Sequence, residues 1–226
     1  GKTFESCLAS LAKIFERLRR NGLKLKPKKC NLFRTSINYL GRIISTEGVK
    51  ADPEKLESVS DWEKPEGPRD IRSFLGFCSY YRDFLPGYAR VAQPLQALAH
   101  WTPGRRKEPF PWGSEQDLAF KAVKELFRTT PVLKYPTADG HFILDTDASN
   151  DSIGAALSQV QEGREVPLAF ASNTLNKAQR NYCTTKRELL AVVVYTKKFK
   201  HFLWGGDFTL RTDHSSLRWL LNFKEA

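Results

Sequence analysis

The 226 residues are 41% hydrophobic, 27% charged and 12% aromatic, the make-up of a chain with cores to bury rather than of a disordered or low-complexity tail. At roughly 100 to 200 residues per domain, one large domain or two small ones are expected. A net charge of +11 points to a polyanionic partner, nucleic acid foremost, whereas no uncharged apolar run reaches the ~18 residues of a membrane span.

In chain order, an amphipathic helix is predicted over 4–21, with Phe4, Cys7, Leu8, Leu11, Phe15 and Leu18 on one stripe and Asn21-Gly22 as its stop. Leu23-Lys24-Leu25-Lys26 alternates with period two, and residues 37–45 are rich in β-branched and apolar types before the Thr46-Glu47-Gly48 turn; both read as strands of a small sheet. Asp52-Pro53 has the form of an N-cap followed by proline at N1. Pro68 opens a helix with Ile71, Phe74, Leu75, Cys78 and Tyr81 on its apolar side, ended by Pro86. A short helix over 90–98, a polar link over 102–113, and a helix starting at a capping-box-like Ser114/Asp117 with Leu118, Val123, Leu126 and Phe127 inward make residues 51–130 mostly helical.

From Asp139 the pattern changes. Residues 142–147, 153–160 and 166–171 read as three strands of an antiparallel meander, 176–202 as a long helix, 208–212 as a fourth strand and 217–221 as the start of another helix. Such an order indicates a mixed sheet with helices packed on it, an α+β chain.

Charge is unevenly spread: residues 1–50 hold twelve basic and three acidic side chains, so nine of the eleven surplus charges lie there. A solvated face serving only solubility is the competing explanation. Cys7, Cys30, Cys78 and Cys183 show no C-x-x-C spacing, which argues against a disulfide framework or zinc knuckle and for a reducing, intracellular setting. The absence of methionine and of a signal-peptide pattern after Gly1 suggests a segment of something longer.

Three carboxylates stand out. Asp147 closes the first strand of the meander, Asp213 closes the fourth strand, and Glu188 shares a helical stripe with Ala191, Val192, Tyr195 and Phe199. If the two strands are parallel neighbours, both aspartates emerge at one sheet edge with Glu188 above them. Converging carboxylates repel unless cations neutralise them, and oxygen ligands of this kind suit two Mg²⁺ or Mn²⁺ ions in phosphodiester chemistry. Each residue also has an ordinary reading: Asp147 as a turn former, Asp213 as a helix cap, Glu188 paired with Lys186 or Arg187. Asp145 shares a strand face with Asp147. His100, His141, His201 and His214 form no ligand spacing, and His214 alone neighbours one of the three acids.

The stretches Phe142-Ile143-Leu144-Asp145-Thr146-Asp147-Ala148-Ser149, Ile153-Gly154-Ala155-Ala156-Leu157-Ser158-Gln159, Glu188-Leu189-Leu190-Ala191-Val192-Val193 and Thr212-Asp213-His214 closely resemble the ribonuclease H domain of Pol polyproteins from gypsy-class LTR retrotransposons and retroviruses. The resemblance continues upstream through Leu23-Lys24-Leu25-Lys26-Pro27-Lys28-Lys29-Cys30, Tyr39-Leu40-Gly41 and Phe74-Leu75-Gly76-Phe77-Cys78-Ser79-Tyr80-Tyr81-Arg82-Asp83-Phe84-Leu85-Pro86, which look like the end of a reverse-transcriptase palm and its thumb. It covers nearly the whole chain.

The resemblance implies a palm end over 1–50, a helical thumb and connector over 51–138, and a C-terminally truncated ribonuclease H-like domain over 139–226. It implies two-metal hydrolysis of RNA in RNA/DNA hybrids by the parent, with Asp147, Glu188 and Asp213 as catalytic metal ligands, in an intracellular, cytoplasmic particle. Partners would be hybrid and primer-template nucleic acid and the rest of the polyprotein, with no membrane. The polymerase signature Y-x-D-D and a fourth acidic ligand, which the family places before Gly1 and well beyond Asp213, are not in this sequence, so polymerisation is not expected of this chain and cleavage by it is expected to be weak. Lys24, Lys26 and Lys28 on one strand face, Tyr39-Leu40-Gly41 as a primer grip, and Arg72, Gly76 and Tyr80 along one side of the thumb helix would contact nucleic acid. The ordinary readings are edge lysines that deter aggregation, a glycine that permits helix packing and a half-buried tyrosine. Phe74, Phe77, Tyr81 and Phe84 are assigned to the core. The alternative function is a non-catalytic nucleic-acid-binding or structural module.

Overall fold

A computed structural model describes residues 3–102 and 108–217. The chain divides into two compact units, 1–37 and 38–226. In the first, Thr3 caps α1 (Phe4–Arg20) by accepting from the Ser6 amide, and Phe4 packs on Phe33 with ring centroids 5.2 Å apart. The alternating Leu23–Lys26 segment is not a strand. Leu23 and Leu25 are 61% and 49% exposed, and Pro27 opens a 3-10 turn over Pro27–Lys29. Alternation marks a strand only where one face is buried, and here neither is.

The strand-rich stretch over 37–45 folds back on itself as a hairpin. It divides into β1 (Ser36–Tyr39) and β2 (Arg42–Ser45), separated by Leu40-Gly41 with φ of +51° and +71°. Two consecutive positive φ values make the tight turn whose twist matches a hairpin. β2 pairs antiparallel with β3 (Gly48–Ala51), and Val49 bridges to Leu133. Asp52 caps α2 (Pro53–Ser60) as its position before a proline suggested.

Pro68 is N1 of α3 (Pro68–Tyr80), whose Ile71, Phe74, Leu75 and Cys78 are all buried. The helix ends six residues before Pro86, at a turn over Arg82–Phe84. The short helix expected over 90–98 is two: α4 (Tyr88–Val91) and α5 (Gln93–Leu98) meet at Ala92, because Pro94 has no N–H for the Arg90 carbonyl. In α6 (Ser114–Arg128) the N-cap is Gly113, not Ser114. Gln116 accepts the Gly113 amide, while Asp117 accepts from Trp112 Nε1 at 2.6 Å. Its inward face carries Ala119, Phe120, Val123 and Phe127, and Leu118 is 68% exposed. These helices, with Ala51 and Leu133, enclose one hydrophobic core. Phe74, Tyr81 and Phe84 are buried in it and Phe77 packs against it, as the aromatic stripe suggested.

A second core lies under a four-stranded sheet. β4 (His141–Ala148), β5 (Ser152–Gln161) and β6 (Arg164–Thr174) form the antiparallel meander, its second hairpin closing on Glu162-Gly163, again with two positive φ values. The helix expected over 176–202 is interrupted twice, giving α7 (Lys177–Arg180), α8 (Thr184–Lys198) and α9 (Lys200–Leu203). Asn176 caps α7, and extended backbone at Cys183 starts α8 afresh. β7 (Phe208–Thr212) pairs parallel with β4, giving the order β6-β5-β4-β7. The helix expected over 217–221 lies, beyond Leu217, outside the described residues. Among the described residues no helix is long and apolar enough to cross a membrane.

Candidate functional site

Parallel pairing of β4 with β7 runs from Phe142 opposite Phe208 to Thr146 opposite Thr212. Asp147 and Asp213 each follow the last matched pair, so two unrelated chain segments deliver a carboxylate to the same end of the sheet. α8 packs across β4 and β5, fixed by fully buried Tyr195, whose hydroxyl donates to the Ile153 carbonyl at 2.8 Å. Glu188 lies seven residues, about two turns, before Tyr195 on the same stripe and is 3% exposed. The outcome is a cluster in which one carboxylate oxygen from each of Asp147, Glu188 and Asp213 lies within 4.8 Å of the other two.

The electrostatics of this cluster are unfavourable for protein atoms alone. Burial, then Asp213 and Asp147, push the Glu188 carboxyl above the usual carboxylate range. Its Oε2 atom is buried without a hydrogen-bond partner. The ordinary roles weighed for Glu188 are not taken up: Arg187 turns away and donates to the Ser149 carbonyl and, at 2.7 Å, to Asn150 Oδ1. Those contacts hold the loop that follows Asp147. Asp145 is paired instead with Arg211, 3.1 Å away on β7. Three converging carboxylates, one of them buried with an oxygen that has no hydrogen-bond partner, fit a divalent cation in charge and ligand type. His214, beside Asp213, is held by Thr185 at 2.9 Å.

Arg90 is a member of this site that sequence reasoning missed. It reaches from α4 to within 3.9 Å of Asp147 Oδ2. No local signal could have found it, because it lies 57 residues upstream and on another core's helix.

The residues proposed for nucleic-acid contact fall in two places. Lys24, Lys26 and Lys28 are exposed, but on irregular chain and a turn rather than on a strand face. In the second unit, Tyr39 and Leu40 at the hairpin tip are 59% and 68% exposed. The tip is tied to the end of α3: Tyr80 Oη donates to the Leu40 carbonyl at 2.5 Å and Tyr81 Oη to the Gly41 carbonyl at 3.1 Å. A Cβ on Gly41 would come within 2.6 Å of Tyr81 Oη, so close approach as well as positive φ requires glycine there. Arg42 stacks over Tyr80 and Phe84. Along α3, Arg72 donates to the Ala99 carbonyl at 2.6 Å while Gly76 and Tyr80 are exposed. A Cβ on Gly76 would meet nothing within 4 Å, so helix packing does not account for this glycine.

Comparison with known proteins gives a consistent result. Residues 112–210 match the RNase H-like domain found in reverse transcriptase. The retrovirus-related Pol polyprotein from transposon 297 of Drosophila melanogaster is 38% identical over 96% of this chain, and that from transposon gypsy of the same species 37% identical over 86%. The chain spans about a fifth of the length of these relatives. Among solved structures, the foamy viral protease-reverse transcriptase in complex with an RNA/DNA hybrid superposes with a TM-score of 0.78 at 20% identity, covering 96% of this chain and 29% of that one. A foamy viral protease-reverse transcriptase in complex with double-stranded DNA gives 0.79 at 19% identity, covering 98% and 38%.

Proposed function

Because the chain is a stretch of retroelement Pol sequence carrying the RNase H-like domain found in reverse transcriptase, we propose that the protein containing it hydrolyses the RNA strand of RNA/DNA hybrids, with Asp147, Glu188 and Asp213 holding two Mg²⁺ or Mn²⁺ ions. The observation that carries this reading is the convergence of Asp147, Glu188 and Asp213 to within 4.8 Å, on a glutamate that is buried and has one oxygen without a hydrogen-bond partner. Bound cations supply neutralisation of the carboxylates and Lewis acidity toward a phosphodiester. The chain's own residues hold the geometry: β4 and β7 fix the spacing of the aspartates, Tyr195 fixes the height of Glu188, Arg187 fixes the loop after Asp147, and Thr185 orients His214. The test is hybrid cleavage by the Pol protein that includes this chain, in Mg²⁺ or Mn²⁺. Hybrid binding without cleavage would favour the non-catalytic binding module. The setting proposed is an intracellular particle, and the organisation proposed is palm end over 1–50, thumb and connector over 51–138, ribonuclease H-like domain from 139.

For hybrid binding we assign the primer end to the Tyr39-Leu40-Gly41 tip and the duplex backbone to Arg72, Gly76 and Tyr80. The exposure of Tyr39 and Leu40 at the hairpin tip and of Gly76 and Tyr80 on α3 supports this. Gly76 gives a separable prediction. Alanine is the better helix former, so Gly76→Ala should stabilise the fold by about 0.5–1 kcal/mol. Its methyl would occupy the space a sugar-phosphate backbone needs, and affinity should fall by roughly tenfold, equivalent to ~1.4 kcal/mol. Thermal melts and hybrid titrations read the two effects independently; a variant that is more stable and binds equally well would remove Gly76 from the interface.

Lys24, Lys26 and Lys28 are assigned to phosphate contacts. Each lysine replaced by glutamine should lower the slope of log affinity against log salt by at most about one unit, with sequence preference unchanged. Equal slopes for wild type and the triple variant would mean that these lysines only solvate the surface.

A further inference from the structure

Arg90 lies upstream of the segment matched to the RNase H-like domain, residues 112–210, yet its guanidinium is 3.9 Å from Asp147. We propose that Arg90 is a resident counter-ion of the acidic cluster, delivered by the first core and in competition with the divalent cations that the cluster binds. The inference rests on the reading of Asp147, Glu188 and Asp213 as cation ligands.

Three features support it. First, α4 is seated firmly: the Ala89 amide donates to Ser172 Oγ on β6 at 3.0 Å in a buried bond, and Arg82 donates to the Ser172 carbonyl. The backbone that carries Arg90 is therefore anchored to the sheet that carries Asp147. Second, the guanidinium itself can leave. Arg90 is 67% exposed, and its distance from Asp147 is beyond hydrogen-bond range. It borders an open cleft of about 310 Å³ between Pro86-Gly87 and the small residues Gly154 and Ala156, with Asp147 on its wall. Third, the cluster concentrates negative charge, with one carboxylate oxygen from each of three residues within 4.8 Å of the others. A guanidinium at the rim relieves that repulsion from outside. A cation binding to Asp147 must therefore displace a favourable partner, and the cluster's cation affinity is set in part from outside its own domain.

The probe is Mn²⁺ titrated calorimetrically into the hybrid-free chain at fixed ionic strength. A partly exposed ion pair implies that Arg90→Gln binds Mn²⁺ roughly two- to fivefold more tightly than wild type. Arg90→Lys should stay near wild type, and so should Arg128→Gln, which removes one positive charge from the Glu125 pair on α6. Equal affinity of wild type and Arg90→Gln, with the site lost in Glu188→Gln, would overturn the counter-ion role and leave the ligand assignment standing. Equal tightening by Arg90→Gln and Arg128→Gln would also overturn it, as an effect of net charge alone. Absence of any Mn²⁺ site that Glu188→Gln removes would overturn both readings.

Discussion

Replacing Asp147 by asparagine should abolish hybrid cleavage while leaving hybrid binding within about twofold. Asparagine keeps the shape of the side chain and its place at the end of β4, but it removes the charge that a divalent cation requires of an oxygen ligand. Loss of several kcal/mol of transition-state charge stabilisation translates into a fall of roughly 10²- to 10³-fold or more in rate. Binding is spared because the contacts assigned to the hybrid, at the Tyr39-Leu40-Gly41 tip, Arg72, Gly76, Tyr80 and the three lysines, are untouched by the substitution. The measurement is cleavage of a labelled RNA strand in a hybrid by the Pol protein that includes this chain, with affinity measured in parallel in Ca²⁺. Full activity in Asp147→Asn would sink the site assignment, and loss of binding together with cleavage would point to misfolding instead.

Glu188→Gln should reverse its effect on stability according to whether cations are present. Burial, then Asp213 and Asp147, raise the Glu188 carboxyl in the folded chain, so the native state binds that proton more tightly than the unfolded state. The stability contributed by this group is present in full below the unfolded glutamate value, about 4.3, and is lost as pH rises through the folded value. Glutamine carries no such titration, and its amide can donate to the flanking aspartates. In chelator, wild type and variant should melt together below about pH 4. The variant should then be the more stable of the two at pH 7, seen as a higher melting temperature. Added Mg²⁺ at a hundred times its dissociation constant stabilises a binding protein by about 2.7 kcal/mol, and wild type should gain that while Glu188→Gln gains little. Equal Mg²⁺ stabilisation of both proteins would remove Glu188 from the ligand set.

Several elements were legible because they depend on neighbours in the chain. Pro68 at N1 and apolar residues at 71, 74, 75 and 78 specify α3 wherever that helix goes. Strand-like runs separated by turn formers specify β4 to β6, and residues 208–212 are β7 as expected. The stripe shared by Glu188 with Ala191, Tyr195 and Phe199 required that an acid face a core, and it does.

The failures have a common form. Leu23–Lys26 alternates like a strand, but nothing buries its leucines. In α6, helical spacing offered both Leu118 and Phe120, and packing chose Phe120. Asp145 and Asp147 were equivalent by parity until Arg211, brought alongside by β7, took Asp145. The sequence alone determined which residue types could form a cation site and which secondary elements carry them. Only the tertiary structure decided that β7 lies parallel beside β4, that α8 sets Glu188 between the two aspartates, and that Arg90 arrives from a helix of the other core. Periodicity is a property of a few consecutive residues, whereas the convergence of charges depends on the packing of segments far apart in the chain.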